Sequence, residues 1–335
     1  MSIKRFSNTD KYFNFATKLS EVAPASGGVK TTSGAYTYHT YTVEDGNESS
    51  TFISPVNRQV EVLVVAGGGQ GGGQVGGGGG AGGVIYNSSY SITANTPVSL
   101  VVGRGGTTQE NSAYGGGGGS RVSQTPGFSY GYTYTQQVGS RGDNSNFGSM
   151  IAYGGGGGGG YSEDYTVPST GGSGGGGSGT ATSPASSIQN SNNGGTGYGF
   201  IGGTGTNGNW AGGGGGGAGG AGGNSTAANS GTGGVGGASI QFFGNFYAEG
   251  GSGCSNNGSG GRINTTRGLG GFGGYSPTGS RGIAYRSGDG RPATGSGGGG
   301  ARDHDRLGYF ANTVSDGNLD YVGFGGSGII IVRYL

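Results

Sequence analysis

Asp303, His304 and Asp305 stand side by side, and carboxylates and imidazole are the side chains that hold divalent metals or move protons. Consecutive residues of a strand point to alternate faces, however, and Arg302 and Arg306 flank the group, so a solvated loop tip is the favoured reading. The other histidine, His39, lies in a strand-like stretch with no evident partner. The one cysteine, Cys254, can form neither an intrachain disulfide nor a cysteine-based zinc site, and reads as a small buried residue. No grouping of Ser, His and Asp is evident, and no Gly-Lys-Ser/Thr step of a phosphate loop occurs. Neither catalysis nor a metal or cofactor is therefore expected. Arg141-Gly142-Asp143 has the form of an adhesion tripeptide, but its place just ahead of the strand-like NSNFGSMIAY (144–153) suits a turn.

Aromatic side chains carry more information. In TPGFSYGYTYTQQVG (125–139), Phe128, Tyr130, Tyr132 and Tyr134 alternate, so an extended strand carries all four rings on one face. Such a stripe either stacks on sugar rings or a protein epitope, which tyrosine does at low entropic cost, or packs on the protein's own framework. Packing is the weightier of the two. Further candidate surfaces are YSEDYT (161–166, with Tyr161 and Tyr165), QFFGNFYAE (241–249), YSPTGSRGIAYRSGDGRP (275–292, with Tyr275 and Tyr285) and ARDHDRLGYF (301–310). Trp210, the only tryptophan, adjoins a glycine block and reads as a packing plug before a receptor contact.

These residues sit in an unusual chain. Of 335 residues 94 are glycine, and only Gly27, Gly28, Gly34 and Gly46 precede residue 61, so an ordinary head is followed by a glycine-dominated body. Each ordered glycine gives up about 0.5–1 kcal/mol more backbone entropy than alanine, so something specific to glycine must offset the cost. The strict Gly-X-Y phase of collagen fails in GGGQGGGQVGGGGGAGG (67–83), and the blocks follow no fixed repeat. Polyglycine also adopts an extended helix with three residues per turn and no internal hydrogen bonds. Several such helices side by side satisfy one another's amides at a spacing only glycine permits. With a net charge of +1 and 10% charged residues, a broad electrostatic footprint for nucleic acid or anionic membrane is excluded. No apolar run of membrane-spanning length occurs, and no secretory leader is evident at Met1, so synthesis in the cytoplasm without membrane insertion is expected.

Strand signals begin at Val29: AYTYHTYTVEDGN ends in the turn dipeptide Asp45-Gly46, and QVEVLVVA (59–66) is apolar enough for a strand covered on both faces. GVIYNSSYSITAN and PVSLVVG follow, and GIIIVRY (328–334) closes the chain as a second buried-type strand. The expected fold is all-β: a β-sandwich-like framework (29–106 and 325–335) with an inserted body of packed polyglycine-II-type helices and variable surface loops (107–324). Residues 1–28 form a separate leading segment, in which Phe15, Leu19 and Val22 suit one helix face or a peptide that orders on a partner.

YTYHTYT (36–42), VEVLVVAGGGQGGGQVGGGGGAGGVIY (60–86), VSLVVGRGG (98–106), NSNFGSMIAYGGGGGGG (144–160) and GGSGIIIVRY (325–334) together resemble the glycine-rich virion proteins of tailed bacteriophages, the marine type in particular. The resemblance spans about residues 29–335. A more distant similarity is to the tail-fibre tip adhesins of T-even-like phages, whose polyglycine helices carry receptor-choosing loops. The framework and the first 28 residues depart from that group's attachment region. The resemblance implies a non-enzymatic virion protein, tail-associated, that recognises a host surface glycan or outer-membrane protein. Phe128, Tyr130, Tyr132, Tyr134, Tyr161, Tyr165, Tyr275 and Tyr285 would then be the contacts, and Tyr12, Phe13, Phe15 and Leu19 would dock to other tail or baseplate proteins. A capsid decoration or fibre-shaft protein with no receptor is the competing implication. A homotrimer is admitted too, although no heptad repeat appears.

Overall fold

The computed structural model describes residues 24–44, 48–73, 75–107, 138–160, 167–180, 182–189, 191, 194–207, 210–226, 231–255, 268–274, 287–301 and 322–335. Within them lie strands β1 (Val29–Ser33), β2 (Tyr36–Thr42), β3 (Ser49–Phe52), β4 (Arg58–Val65), β5 (Val84–Ile92), β6 (Val98–Val101), β7 (Ser145–Phe147), β8 (Met150–Ala152), β9 (Thr196–Tyr198), β10 (Ile240–Phe242), β11 (Asn245–Tyr247) and β12 (Ile329–Tyr334). They form three open sheets, ordered β1-β2-β12-β4-β5-β9, β3-β6-β7-β8 and β10-β11. The architecture is all-β, with no α-helix among the described residues.

β12 lies between β2 and β4, antiparallel to both, so that Ile331 faces Thr40 on one side and Leu63 on the other. The period of two then explains the nearly continuous apolar run of β4. Val60, Val62 and Val64 enter a core with Ile330 and Val332 of β12, and with Phe52, Leu100, Phe147 and Met150 of the four-stranded sheet. Leu63 and Val65 enter a second core on the opposite face, with Ile329, Ile331 and Val84. Each such side chain, fully buried, contributes about 1.5–3 kcal/mol. Two stretches differ from the sequence reading. NSNFGSMIAY is a hairpin, β7 turning at Gly148 (φ 54°) into β8, and not one strand. QFFGNFYAE is no free surface insert: it supplies most of β10–β11, which packs against the second core through Phe242, Phe243 and the buried Tyr247.

Glycine runs leave the sheets at Val65 and Val101 and return at Val84 and Ile329. Their hydrogen bonds repeat every third residue. In the run 76–83, the amides of Gly76, Gly79 and Gly82 donate to the carbonyls of Ala301, Gly298 and Gly295. Those of Gly77, Gly80 and Gly83 donate to Gly159, Gly156 and Tyr153, and those of Gly78 and Ala81 to Gly213 and Gly216. The carbonyls of the same run accept on three further sides: from Gly72, Gly69 and Ala66, from Gly176 and Ser173, and from Cys254 and Gly251. One run is therefore bonded to six neighbouring segments. The run 66–72 and the run 212–218 follow the same rule of three. A Cβ on Gly79 would overlap the Gly69 carbonyl oxygen, which is why these positions are glycine. Alanine appears where a run meets side chains instead of backbone: Ala81, Ala218 and Ala248 pack in the second core beside Leu63 and Val65.

Candidate functional site

The proposed contact residues Phe128, Tyr130, Tyr132, Tyr134, Tyr161, Tyr165, Tyr275 and Tyr285 lie outside the described residues, as do Tyr12, Phe13, Phe15 and Leu19 and the Asp303-His304-Asp305 group. The described residues that flank them are informative. The run 66–72 starts from β4 and the run 76–83 ends at β5, so residues 66 and 83 mark the sheet end of the glycine body, and 72 and 76 its far end.

Against this ruler the flanks of the inserts fall together. Ala301 bonds to both Gly72 and Gly76, and the carbonyl of Gly323 accepts from Gly71, which puts both flanks of 302–321 at the far end. Gly159 accepts from Gly77 just before 161–166, and Ser169 donates to Gly157 just after it. Thr107 and Ser140, joined through the Ser140 hydroxyl at 2.9 Å, bracket 108–137, and the Ser140 carbonyl accepts from Gln70. Gly274 donates to Gly300 ahead of 275–286. Thr206 bridges Ala211 across 208–209, and the next residue, Gly212, bonds to Cys254, itself bonded to Gly76. The connection 256–267 departs from the rule: Ser255 is at the far end, but Leu269 binds Glu249 Oε2 at 2.8 Å, nearer the sheets.

Two side chains that the structure does describe stand at this far end. Trp210 is 43% exposed with φ 54°, and Val167 is 60% exposed. Trp210, read from the sequence as a packing plug, is partly exposed at the turn between Thr206 and Ala211. The start of the described chain lies against the sheets, away from this end. Ser26 pairs with Ile53, beyond the Phe52–Val98 end of β3–β6, whereas Val101 at the other end of that pair leads into the glycine run. Residues 24–28 are thus set apart from the insert flanks by the length of the glycine body.

Arg141-Gly142-Asp143 is not a presented turn. Gly142 donates to Gly155 within the glycine body, Arg141 Nη2 donates to Thr170 Oγ1 at 2.6 Å, and burial pushes the Asp143 carboxyl up, with Arg104 opposing that shift. His39, expected to lack a partner, has two. Nδ1 must donate to the Gly27 carbonyl, 2.6 Å away, which leaves Nε2 to accept from the Tyr334 hydroxyl at 3.2 Å. Burial lowers its pKa, with Lys30 and Arg58 acting in the same direction. Sequence gave no signal for this, since Gly27 and Tyr334 are distant in the chain. Cys254 is fully buried, and no cluster of metal-ligating side chains occurs among the described residues.

A second polar centre lies on the large sheet. Arg333 pairs side-on with both carboxylate oxygens of Glu61 (2.6 Å from Nη2), and the Tyr86 hydroxyl donates to the same carboxylate. The guanidinium is held between Tyr36 (4.3 Å) and Phe243 (4.2 Å). Phe243 and Gly244 both have φ > 0, the requirement of a two-residue type I′ hairpin turn, and a bulky ring there is strained. Its contact with the Arg333 guanidinium and its edge-to-face contacts with Tyr38 and Tyr86 offset that strain and pin the hairpin to the sheet. Burial and the Glu61 hydrogen bond push the Tyr86 hydroxyl up to about 12. Both Glu61 oxygens are taken up by Arg333 and Tyr86, which gives the group a structural role.

A family model described as a glycine-rich domain matches residues 42–335. No curated protein matches the chain. No helix among the described residues is long and apolar enough to cross a membrane.

Proposed function

The chain belongs to the glycine-rich domain family, and from that premise we propose that it is a non-enzymatic attachment protein of a tailed-phage virion. Its glycine body is a polyglycine-II-type bundle, inserted in a β-sandwich-like framework, that holds receptor-contacting inserts at one pole. The leading segment docks to tail or baseplate proteins. One observation carries this reading: the flanks of 108–137, 161–166, 208–209, 275–286 and 302–321 converge on the end of the glycine body farthest from the sheets. These connections come from separate parts of the sequence, and nothing in the backbone packing requires that they be long or aromatic. A bundle whose interior is set by amide bonds tolerates change in such connections, because they lie outside its repeat of three.

The ligand is a host surface glycan or an outer-membrane protein, met by tyrosine, phenylalanine and the exposed Trp210. The test is competition: purified full-length protein added to host cells before infection. Reduced adsorption by the wild-type chain, and none by a chain with Tyr130, Tyr132 and Tyr134 changed to Ala, is the expected outcome. A chain that occupies the capsid surface in the virion and never competes would instead be a decoration protein.

A further inference from the structure

β1 is an edge strand whose side chains enter neither core, and all five of its residues are exposed. Both of its ends turn away from the edge. Ahead of it Gly27 and Gly28, with φ 107° and 61°, direct the chain toward the Ser26–Ile53 bridge. After it Gly34, with φ 58°, makes a two-residue turn into β2, closed by Ser33 and Tyr36. Positive φ at the first central residue alone is a type II′ turn, whose closing residues exchange both amide bonds. Ser33–Tyr36, Thr31–Tyr38 and Val29–Thr40 are therefore the hydrogen-bonded pairs, and Thr32–Thr37 and Lys30–His39 the non-bonded ones. The bond from the Ala66 amide to the Gly83 carbonyl, carried across β4, β12 and β2, gives the same phase. The amides and carbonyls of Lys30 and Thr32 thus point away from the sheet, and among the described residues nothing pairs with them.

This edge is complementary to itself. An antiparallel β1 from a second copy, related by a two-fold axis at Thr31, sets Lys30 of each chain opposite Thr32 of the other. Both are then hydrogen-bonded pairs, and together they use every outward amide and carbonyl of the strand. Thr31 meets Thr31 at the non-bonded position between them, a favourable cross-strand pair. Sliding the register by two residues either opposes Lys30 to Lys30, which repels, or leaves Lys30 beyond the end of the facing strand. The one charge on this edge therefore selects a register. We infer that two copies of the chain associate through β1, joining their six-stranded sheets into one continuous sheet. A longer foreign strand fits less well, because the chain turns away at both ends of these five residues. The contact is small, so the association is weak in dilute solution. The inference is independent of the receptor role proposed above.

Analytical ultracentrifugation of the full-length protein, from micromolar to submillimolar concentration, tests it. A monomer–dimer equilibrium is expected. Thr32→Lys puts a second lysine opposite Lys30 at both ends of the pairing and should weaken the dimer several-fold, whereas Thr32→Glu should tighten it several-fold. Thr32 is exposed, so neither change disturbs a core. Thr31→Cys should form a disulfide-linked dimer under a mild copper oxidant, because facing residues of a non-bonded pair lie about 4.5 Å apart. Lys30→Cys, which faces Thr32, should not, and the native Cys254 is buried. A monomer at every concentration, a trimer, an equal response to Thr32→Lys and Thr32→Glu, or cross-linking by Lys30→Cys as readily as by Thr31→Cys would each overturn the assignment.

Discussion

The amide of Gly79 donates to the carbonyl of Gly298 at 2.8 Å, joining two glycine blocks from opposite ends of the glycine-rich body of the sequence. At the same residue a Cβ would overlap the carbonyl of Gly69, so Gly79→Ala must push one of six neighbours away. Gly220 differs, because the nearest atom to a Cβ there is the Ala238 methyl at 3.5 Å, an ordinary contact. Gly79→Ala should destabilise the fold by about 1–3 kcal/mol or more, as overpacking does. Gly220→Ala should be neutral or stabilise by about 0.4–1 kcal/mol through the unfolded chain. Chemical denaturation of the two variants beside the parent measures the difference.

His39 predicts a pH dependence. Its folded pKa lies below the usual imidazole value because burial disfavours the cation, so the unfolded chain takes up the proton first as pH falls. The stability held above about pH 6.5 should therefore decline as pH drops through that value and toward the folded pKa. His39→Gln should flatten this part of the profile. Thermal midpoints between pH 5 and 8 provide the check, and parallel curves for both proteins would remove His39 as the cause.

The Arg333–Glu61 pair is only 19% and 20% exposed, and Tyr86 and two stacked rings depend on it. Glu61→Gln should cost about 1–3 kcal/mol, between the values for exposed and buried pairs. Phe243→Asn should relax the positive φ of the hairpin turn yet still lose stability, because the ring over Arg333 disappears. Urea unfolding of both variants distinguishes this from a turn whose strain dominates, in which Phe243→Asn would stabilise.

The sheets were legible where side chains alternate or run apolar. Val60 to Val65 announced a strand buried on both faces, and Ile329 to Val332 its partner, because each pleat turns successive residues to opposite cores. The glycine blocks announced backbone packing but not its map. A glycine has no side chain to show which neighbour it faces, and the bonds of Gly77 to Gly159 and of Gly78 to Gly213 follow from threading, not from local pattern. The common depth of the insert flanks was hidden for the same reason: unequal spacing along the sequence conceals equal position along the bundle. His39 was misjudged because its partners, Gly27 and Tyr334, are brought to it by segments far away in the chain.

Trp210 provides the sharpest test of the far pole among the described residues. The residue is 43% exposed at φ 54°, a conformation in which a bulky side chain is unfavourable, and its removal should relieve local strain. Trp210→Gly should therefore keep or slightly raise the melting temperature, since glycine suits that backbone. If the far pole contacts a receptor, the same change should lower adsorption competition several-fold, because exposed tryptophan is a common anchor of interfaces. A drop in competition with unchanged melting assigns the ring to binding. A drop in melting temperature with competition intact would instead make it a packing residue, held in a strained conformation by contacts that stabilise the turn between Thr206 and Ala211.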